Sequence, residues 1–379
     1  MKNTCMDTTT ISMLLAKARP QGWADLPHGL LQSIISLLSC TLDLIAFIST
    51  CPNWRAAFLS AKPTLCKLFP PLIIRSCAQM SMTSKIHLTW QLTDPARPTT
   101  RFYRPIPPGI LEMEFVGCSY GHAIFASLLD TSHVSIVNVF TDIMVSSPPC
   151  PYVLARAFTK SVGPLLTGSL VYSKILYCTL TAPLSSPNSY LLVSTFFGLF
   201  AWRIGSDSWL EHIYVAKQLS IKQALVFKGQ IIAMDHLSLY IVCFNQSQHG
   251  ISIEELDVVW GDDNMSVDEL NDSRLVVCGD TLILVARLGS WTGSFGSFYL
   301  DSSTKPAKWL PAVKIDWAIF TGSEYRSQSW ASAYPERWGG KTRHVNVPND
   351  RDIGDKVFPP GTTKLQPSWV LPSVLYLDD

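Results

Sequence analysis

The sequence predicts an α+β protein in which a short N-terminal module of three helices precedes a large all-β domain, an irregular β-propeller. Three observations support this. Apolar residues recur with helical spacing up to about residue 62, short β-forming runs bounded by turn residues follow, and 25 prolines are spread along the chain. Because proline breaks helix interiors, long helices are not expected in the second part.

The first predicted helix follows Asp25 and Pro27. Leu30, Ile34 and Leu38 share one face at the spacing of an amphipathic helix. Proline tolerates the first turn of a helix, because its missing N–H group would have no intrahelical partner there. The sequence therefore predicts a helix start at this proline.

A second helix is predicted to begin at Thr41, with Asp43 in its first turn, where the helix dipole favours an acidic side chain. Pro52 opens a third helix, in which Trp54 and Phe58 repeat at helical spacing. Three short helices in about 40 residues cannot bury all of their apolar surface. The surplus is expected to contact a partner protein or, in a plainer interpretation, the rest of the chain.

The sequences WADLPHGLLQSIISLL, TLDLIAF and CPNWRAAF resemble the F-box, over residues 23 to about 60. The resemblance implies docking on the Skp-type adaptor of SCF ubiquitin ligases, and through it on a cullin. The implied adaptor contacts are Leu26, Pro27, Leu30, Leu31, Ile34, Leu38 and Leu44. Trp54 is expected inside the module, because a large aromatic residue at the start of the last helix can close a small core.

Gly29 departs from the F-box pattern, which usually carries an acidic residue after Leu-Pro-x. Glycine costs a helix about 0.5–1 kcal/mol relative to alanine. We therefore expect a less stable first helix at the predicted docking surface.

Short apolar runs separated by Gly, Pro, Ser, Asn or Asp predict strands in the rest of the chain. The clearest runs are Leu111 to Val116, Val134 to Phe140, Leu191 to Trp202, Ala224 to Met234, Leu239 to Phe244, Leu275 to Cys278, Leu282 to Leu288 and Phe298 to Leu300. At this length a propeller is favoured over a sandwich, because radial repetition shelters sheet edges. No clean repeat is visible, so the blade number stays open.

The same region resembles the C-terminal domain of a large plant F-box family, the domain of unknown function 295. The resemblance is carried by EFVGCSYGHAIF, SIVNVFTDIMVSSPP, WRIGSDSW, ALVFKGQIIAMDHLSLYIV and YLDSSTKPAKWLPAVKIDWAIFTG. It implies recognition of a protein substrate for ubiquitination, and its combination with an F-box strengthens that expectation.

The predicted organisation has four parts. Residues 1–20 are expected to be a flexible N-terminus, 21–62 the F-box, 63–110 a linker with the first strands, and 111–379 the β-rich substrate-binding domain. Arg97, Arg101 and Arg104 fall in a proline-rich part of the linker and are expected to be a solvated connector.

One catalytic motif competes with this interpretation. GCSYG, residues 117–121, fits the GxSxG pattern of a nucleophile elbow, which would make Ser119 the nucleophile of a serine hydrolase. No HGGG-type motif and no alternation of strands and helices surround it. A glycine-containing hairpin turn is the favoured interpretation, and the protein is expected to be non-catalytic.

No cofactor or metal is expected. The eight histidines form no HExxH motif, and the ten cysteines form no CxxC pair, so zinc spacing is absent. WGGKT, residues 338–342, ends like a phosphate-binding loop, but Pro335 occupies its first glycine position. Trp202 and Trp209 are expected to flank a turn and fill the core.

The formal net charge of +1 excludes a protein held on nucleic acid by bulk positive charge. That total hides an acidic stretch, residues 229–273, with nine acidic side chains and no Lys or Arg. A solvated loop is the plainer interpretation of this stretch, and an acidic face that attracts a basic partner is the functional one.

The expected compartment is intracellular, nucleus or cytoplasm, because neither a signal peptide nor a transmembrane segment is recognised. The cysteines are then expected to be reduced thiols packed as small apolar groups. The predicted function is that of a substrate-recognition subunit of an SCF-type E3 ubiquitin ligase. The alternatives are a serine hydrolase and a β-rich interaction protein outside ubiquitination.

Overall fold

The structure is a computed structural model, and it divides the chain into a helical unit within residues 1–69 and a β unit within residues 70–378. The described residues are 22–38, 40–65, 71–80, 86–95, 97–111, 113–127, 133–151, 175–214, 219–245, 250–261, 270–289, 295–312, 317–321, 330–333, 344–346 and 368–370. The predicted flexible segment, residues 1–20, lies outside these ranges, as does the WGGKT sequence.

The helical unit contains a 3₁₀ turn, Trp23–Asp25, and three helices: α1 (His28–Leu37), α2 (Thr41–Thr50) and α3 (Pro52–Leu65). The starts predicted at Thr41 and Pro52 are confirmed, and Asp43 lies in the first turn of α2. Pro27 is the N-cap residue of α1. Among the described residues, no helix combines the length and the apolar content that a membrane span requires.

A small core joins the three helices. Its buried side chains are Leu31, Ile35, Leu44, Phe47, Ile48, Ala57 and Phe58. Trp54 lies against this core, with its ring centroid 4.6 Å from that of Phe47. Trp54 is partly buried, so it contributes to this core from its edge.

The β unit is built from short strands. They are β1 (Leu72–Met80), β2 (Ile86–Asp94), β3 (Arg97–Pro105), β4 (Met113–Ser119), β5 (His122–Ser127), β6 (Val134–Asn138), β7 (Met144–Ser146), β8 (Ile175–Leu180), β9 (Tyr190–Thr195), β10 (Gly198–Arg203), β11 (Trp209–Ile213), β12 (Gln223–Phe227), β13 (Gln230–Asp235), β14 (Ser238–Asn245), β15 (Gly250–Leu256), β16 (Val258–Trp260), β17 (Leu270–Cys278), β18 (Thr281–Leu288), β19 (Phe295–Asp301), β20 (Ala307–Pro311), β21 (Trp317–Thr321), β22 (Trp330–Ala333), β23 (His344–Asn346) and β24 (Ser368–Val370).

Within the described residues, these strands group into six blades. Blade 1 is β24 with β1–β3, blade 2 is β4–β7, blade 3 is β8–β11, blade 4 is β12–β15, blade 5 is β17–β20 with β16 at its edge, and blade 6 is β21–β23. Blades 3 and 4 share one sheet, and among the described strands their ladder pairing is limited to the parallel pair Glu211 and Gly250. The innermost strands β24, β4, β8, β12, β17 and β22 contact one another in that order. The predicted propeller is confirmed, and the described strands supply six blades to it.

Two of the long apolar runs are hairpins. Residues 191–202 turn between β9 and β10, where the Thr195 hydroxyl accepts hydrogen bonds from the backbone N–H groups of Phe197 (3.1 Å) and Gly198 (3.2 Å). A threonine side chain can thus replace the usual Gly or Asn turn signal. Residues 224–234 turn at Lys228 and Gly229, which have φ of 49° and 77°.

The arginines expected in a solvated connector lie on a strand. Arg97, Arg101 and Arg104 belong to β3, which pairs with β2 along most of its length. Proline is tolerated here because β3 is an edge strand and needs no N–H donor on its open side. The proline-rich segment therefore forms the edge strand of blade 1, and the prediction of a solvated connector was wrong.

Candidate interaction surfaces

The predicted adaptor contacts separate into exposed and buried groups. Pro27 is exposed and Leu30 is 54% exposed, while Leu26, Ile34 and Leu38 are partly buried. Leu31 and Leu44 are each only 1% exposed and belong to the core of the helical unit. These two side chains therefore lie in the core, whereas the other five predicted contacts are at least partly open to solvent.

The segment that precedes α1 is held by α3. The indole N–H of Trp54 donates to the carbonyl oxygen of Trp23 at 2.9 Å, and the amide of Asn53 donates to the carbonyl oxygen of Ala24 at 2.9 Å. Both bonds attach the 3₁₀ turn to the N-terminal end of α3. They position Leu26 and Pro27 at the start of α1.

Two exposed apolar side chains were missed in the sequence-based prediction. Leu37 is 82% exposed and Trp23 is 77% exposed. Leu30, Ile34 and Leu37 occupy positions i, i+4 and i+7, which lie on one face of a helix. The sequence pattern therefore already indicated that Leu37 belongs to this face. The apolar surface of α1 is therefore larger than predicted.

Ser119 lies at the end of β4, where residues 119–122 form a two-residue hairpin. Tyr120 and Gly121 have φ of 48° and 77°, the positive pair that a type I′ turn requires. The buried Ser119 hydroxyl accepts from Thr179 Oγ1 at 3.1 Å and donates to the carbonyl oxygen of Leu180 at 3.5 Å. The hairpin interpretation of GCSYG is confirmed, because no strand-to-helix turn lifts this serine.

Trp202 and Trp209 pack against each other and are held by hydrogen bonds to the backbone. These residues flank the β10–β11 turn with ring centroids 6.2 Å apart. Their indole N–H groups donate to the carbonyl oxygens of Ser206 (2.8 Å) and Pro148 (3.1 Å). The predicted role in core filling at a turn is confirmed.

The buried thiols behave as apolar groups. Burial raises the pKa of Cys118 to about 12 and holds that of Cys178 well above its ordinary value, with Cys150 adding to the second shift. Neutral thiols at neutral pH are weak nucleophiles and poor metal ligands. In the described part of the chain, no cluster of His, Cys, Asp and Glu side chains is arranged to hold a metal ion.

An open cleft of about 780 Å³ lies between blades 3 and 4. The tilted rings of Tyr190 and Phe244 pack together in it with centroids 4.1 Å apart. Polar groups are added by Asn188, Gln230 and Asn245. Such a mixture of aromatic and amide side chains is typical of protein interaction sites.

The KIB1-4 beta-propeller family matches residues 91–338, about two thirds of the chain and most of the β unit. The chain belongs to this family. The KIB1-4 beta-propeller domain therefore contains both the Ser119 hairpin and the cleft between blades 3 and 4. The helical unit lies outside the matched residues, so its resemblance to the F-box stays a prediction.

Among solved structures, this KIB1-4 beta-propeller is similar to the major allergen Mala s 1 of Malassezia sympodialis, with 12% identity over 64% of this chain and 75% of that chain and a TM-score of 0.37. It is also similar to YCF48 from Cyanidioschyzon merolae, with 13% identity over 66% and 79% of the two chains and a TM-score of 0.34. These scores are too low to transfer a function. No curated protein matches the chain.

Proposed function

We propose that this protein is the substrate-recognition subunit of an SCF-type E3 ubiquitin ligase. In this proposal the helical unit docks on a Skp-type adaptor and the propeller binds the target protein. The ligase would act through proximity, because holding the target near the ubiquitin-loaded enzyme raises the local concentration of its lysines. In this proposal the catalytic groups belong to other subunits of the ligase.

The observation that carries the proposal is the exposed apolar surface of the helical unit. Trp23, Leu30 and Leu37 are all more than half exposed, next to the exposed Pro27. Large apolar side chains that stay exposed in a unit with its own core are typical of a protein interaction site. Their order along the chain follows the resemblance to the F-box.

Co-purification of the full chain with a Skp-type adaptor tests the proposal. Leu30→Asp is expected to weaken adaptor binding by at least about tenfold, because it places a charge in the centre of an apolar contact. Ala46→Asp is the matched control, since Ala46 is exposed on α2 and outside the predicted contact set. Both variants should keep the circular dichroism spectrum of the unmodified chain.

Unchanged adaptor binding by Leu30→Asp, or by Leu26→Ala combined with Pro27→Ala, would show that the docking assignment is wrong. The interpretation as a β-rich interaction protein outside ubiquitination would then stand. Ser119 supplies no comparable support for a hydrolase, because its hydroxyl is buried between blades 2 and 3.

A further inference from the structure

The cleft between blades 3 and 4 has a volume of about 780 Å³ and is lined by residues from both blades. Blade 3 supplies Thr181, Asn188 and Tyr190, which lie in or beside the β8–β9 turn. Blade 4 supplies residues 226 and 229–231 around the β12–β13 turn, residues 241–245 of β14, and residue 252 of β15. Ligand pockets in proteins commonly have volumes of about 300–1,000 Å³, so this cleft can hold a short chain segment.

The walls of the cleft are held by the protein's own hydrogen bonds. The backbone N–H of Tyr190 donates to Thr181 Oγ1 at 3.0 Å, and the N–H of Thr181 donates to the carbonyl oxygen of Tyr190 at 2.9 Å. The Ser189 hydroxyl donates to the carbonyl oxygen of Ala182 at 2.8 Å. On blade 4, Gly229 completes a tight turn with φ of 77°. The walls are therefore formed without a ligand, which lowers the entropy cost of binding one.

Part of the lining is apolar and open to solvent. The Tyr190 ring of blade 3 packs against the Phe244 ring of blade 4, with centroids 4.1 Å apart. Phe244, Ile231 and Val226 are only partly buried, so apolar atoms of the cleft stay in contact with water. A large apolar side chain of a ligand would gain free energy by covering these atoms.

The polar part of the lining contains amide and hydroxyl groups. Asn188 and Gln230 are exposed, one on each blade. Each side-chain amide carries N–H donors and a carbonyl acceptor, and it therefore matches the N–H and C=O groups of a peptide. Ser252, which is also exposed, adds a hydroxyl group that can donate or accept.

The lining favours an uncharged occupant. The described lining residues are glycine or carry aliphatic, aromatic, amide, hydroxyl or thiol side chains. A carboxylate or ammonium group that entered the cleft would lose hydration and would meet no opposite charge on these residues. Lys228, in the adjacent turn, holds its Nζ 5.0 Å from the ring centroid of Phe227 and is not one of the described lining residues.

We propose that this cleft is the target-binding site of the propeller and that its occupant is an uncharged peptide segment with a large apolar side chain. The apolar side chain rests against Phe244 and its neighbours, and the flanking peptide and amide groups hydrogen-bond to Asn188 and Gln230. A peptide fits this lining because it alternates apolar side chains with backbone donors and acceptors. The inference rests on the proposed function and specifies the site and the class of target segment.

Isothermal titration calorimetry with the full chain tests the inference. The probe is the uncharged peptide acetyl-Ser-Asn-Leu-Phe-Asn-Ser-amide. In one comparison peptide both asparagines are aspartate, and in the other the leucine and phenylalanine are serine. Each change is expected to raise the Kd by at least about tenfold, because it adds uncompensated charge or removes the apolar contact.

Ser252→Trp tests where the probe peptide binds. The indole ring is expected to occupy part of the cleft and to raise the Kd by at least about tenfold. Ser302→Trp is the matched control, because Ser302 is exposed on blade 5 outside the cleft. It should bind within about twofold of the unmodified chain, since a distant surface change leaves the contacts intact.

Cys243 gives a second measurement of location that needs no change in the cleft. It lines the cleft, and its thiol is exposed and free. The rate at which a maleimide modifies Cys243 should fall as the peptide fills the cleft. Cys243→Ser identifies the part of the labelling signal that belongs to this residue.

Four results would overturn the inference: no binding of the probe peptide, equal Kd values for the three peptides, equal Kd values for the two tryptophan variants, or unchanged labelling of Cys243. Failure of the adaptor assignment is separate, because it is tested with Leu30→Asp in the helical unit. If Leu30→Asp leaves adaptor binding intact while Ser252→Trp loses the peptide, the ligase role is wrong and the peptide site remains.

Discussion

His122 illustrates how single residues are constrained near the centre of the ring. It is buried at the start of β5, and its Nδ1–H can donate to the carbonyl oxygen of Tyr120 at 2.7 Å. Burial lowers the pKa of His122, and the hydrogen bond to Tyr120 opposes part of that shift. The folded protein therefore disfavours a charged imidazole at this position.

This environment predicts a pH dependence of stability. Below the unfolded pKa of about 6.5, the unfolded chain binds more protons at this histidine than the folded chain does. The free energy of unfolding is therefore expected to fall as the pH is lowered through about 6.5, and His122→Asn should reduce that slope. Urea unfolding at pH values above and below 6.5 measures how the free energy of unfolding changes with pH.

His236→Asn is the control for this prediction. His236 is exposed in the β13–β14 turn and has φ of 50°, a conformation that asparagine tolerates. This change leaves the surroundings of His122 intact, so the part of the slope that depends on His122 should remain. Identical slopes for all three proteins would contradict the assignment to His122.

At the scale of elements, side chains join neighbouring blades where backbone pairing is absent. The Tyr177 hydroxyl of β8 donates to the carbonyl oxygen of Ala224 on β12 at 3.0 Å. The Gln223 side chain of β12 exchanges two hydrogen bonds with the backbone of Leu275 on β17, at 2.7 and 2.8 Å. Each buried bond satisfies groups that would otherwise destabilise the interior, and together they align the innermost strands.

Helix α1 offers a test at the same scale. Gly29 lies in its first turn, and no atom lies within 4 Å of the position that a Cβ would occupy. Gly29→Ala is therefore expected to stabilise the helical unit by about 0.5–1 kcal/mol. Thermal unfolding followed by far-ultraviolet circular dichroism measures the change.

The comparison for Gly29→Ala is Gly205→Ala in the β10–β11 turn. Gly205 also has open space around it, but its φ is +84°, which alanine adopts only with strain. This variant should be destabilised by about 1 kcal/mol. Destabilisation by Gly29→Ala would show that the described end of α1 does not behave as an ordinary helix.

At the scale of the whole molecule, blade 1 is completed by residues far apart in the chain. β24 pairs antiparallel with β1, so that Leu72 faces Val370 and Ile74 faces Ser368. Leu72, Ile74 and Val370 are buried. Blade 1 therefore combines the first three strands of the β unit with the last described strand.

Truncation tests this closure. A chain ending at Pro367 loses β24 and should lose about 3 kcal/mol or more of unfolding free energy, because apolar side chains and ladder hydrogen bonds of β1 become exposed. A chain ending at Val370 keeps the three paired residues and is the matched control. Equal stability of the two truncated chains, measured by urea unfolding, would show that β24 does not stabilise the ring.

The sequence alone was sufficient for features that depend on neighbouring residues. The starts of α2 and α3, the contribution of Trp54 to the helical core and the Ser119 hairpin follow from capping, spacing and turn preferences, which act over a few residues. The apolar face of α1 also follows from residue spacing, although the predicted contact set did not include Leu37. The same local reasoning misassigned β3, because proline composition does not reveal whether a strand lies at a sheet edge.

Only the tertiary structure decided the rest. The arrangement of the described strands in six blades depends on contacts between segments that the local pattern does not connect. The same is true of the pairing of Leu72 with Val370 and of the burial of Leu31 and Leu44. A groove on blade 4 is of the same kind: its lining residues Leu237 and Leu256 are visible in the sequence, but the groove itself exists only where the β13–β14 turn lies beside Trp260. Burial and concavity are properties of the packed chain, because they require surfaces distant in sequence to exclude water together.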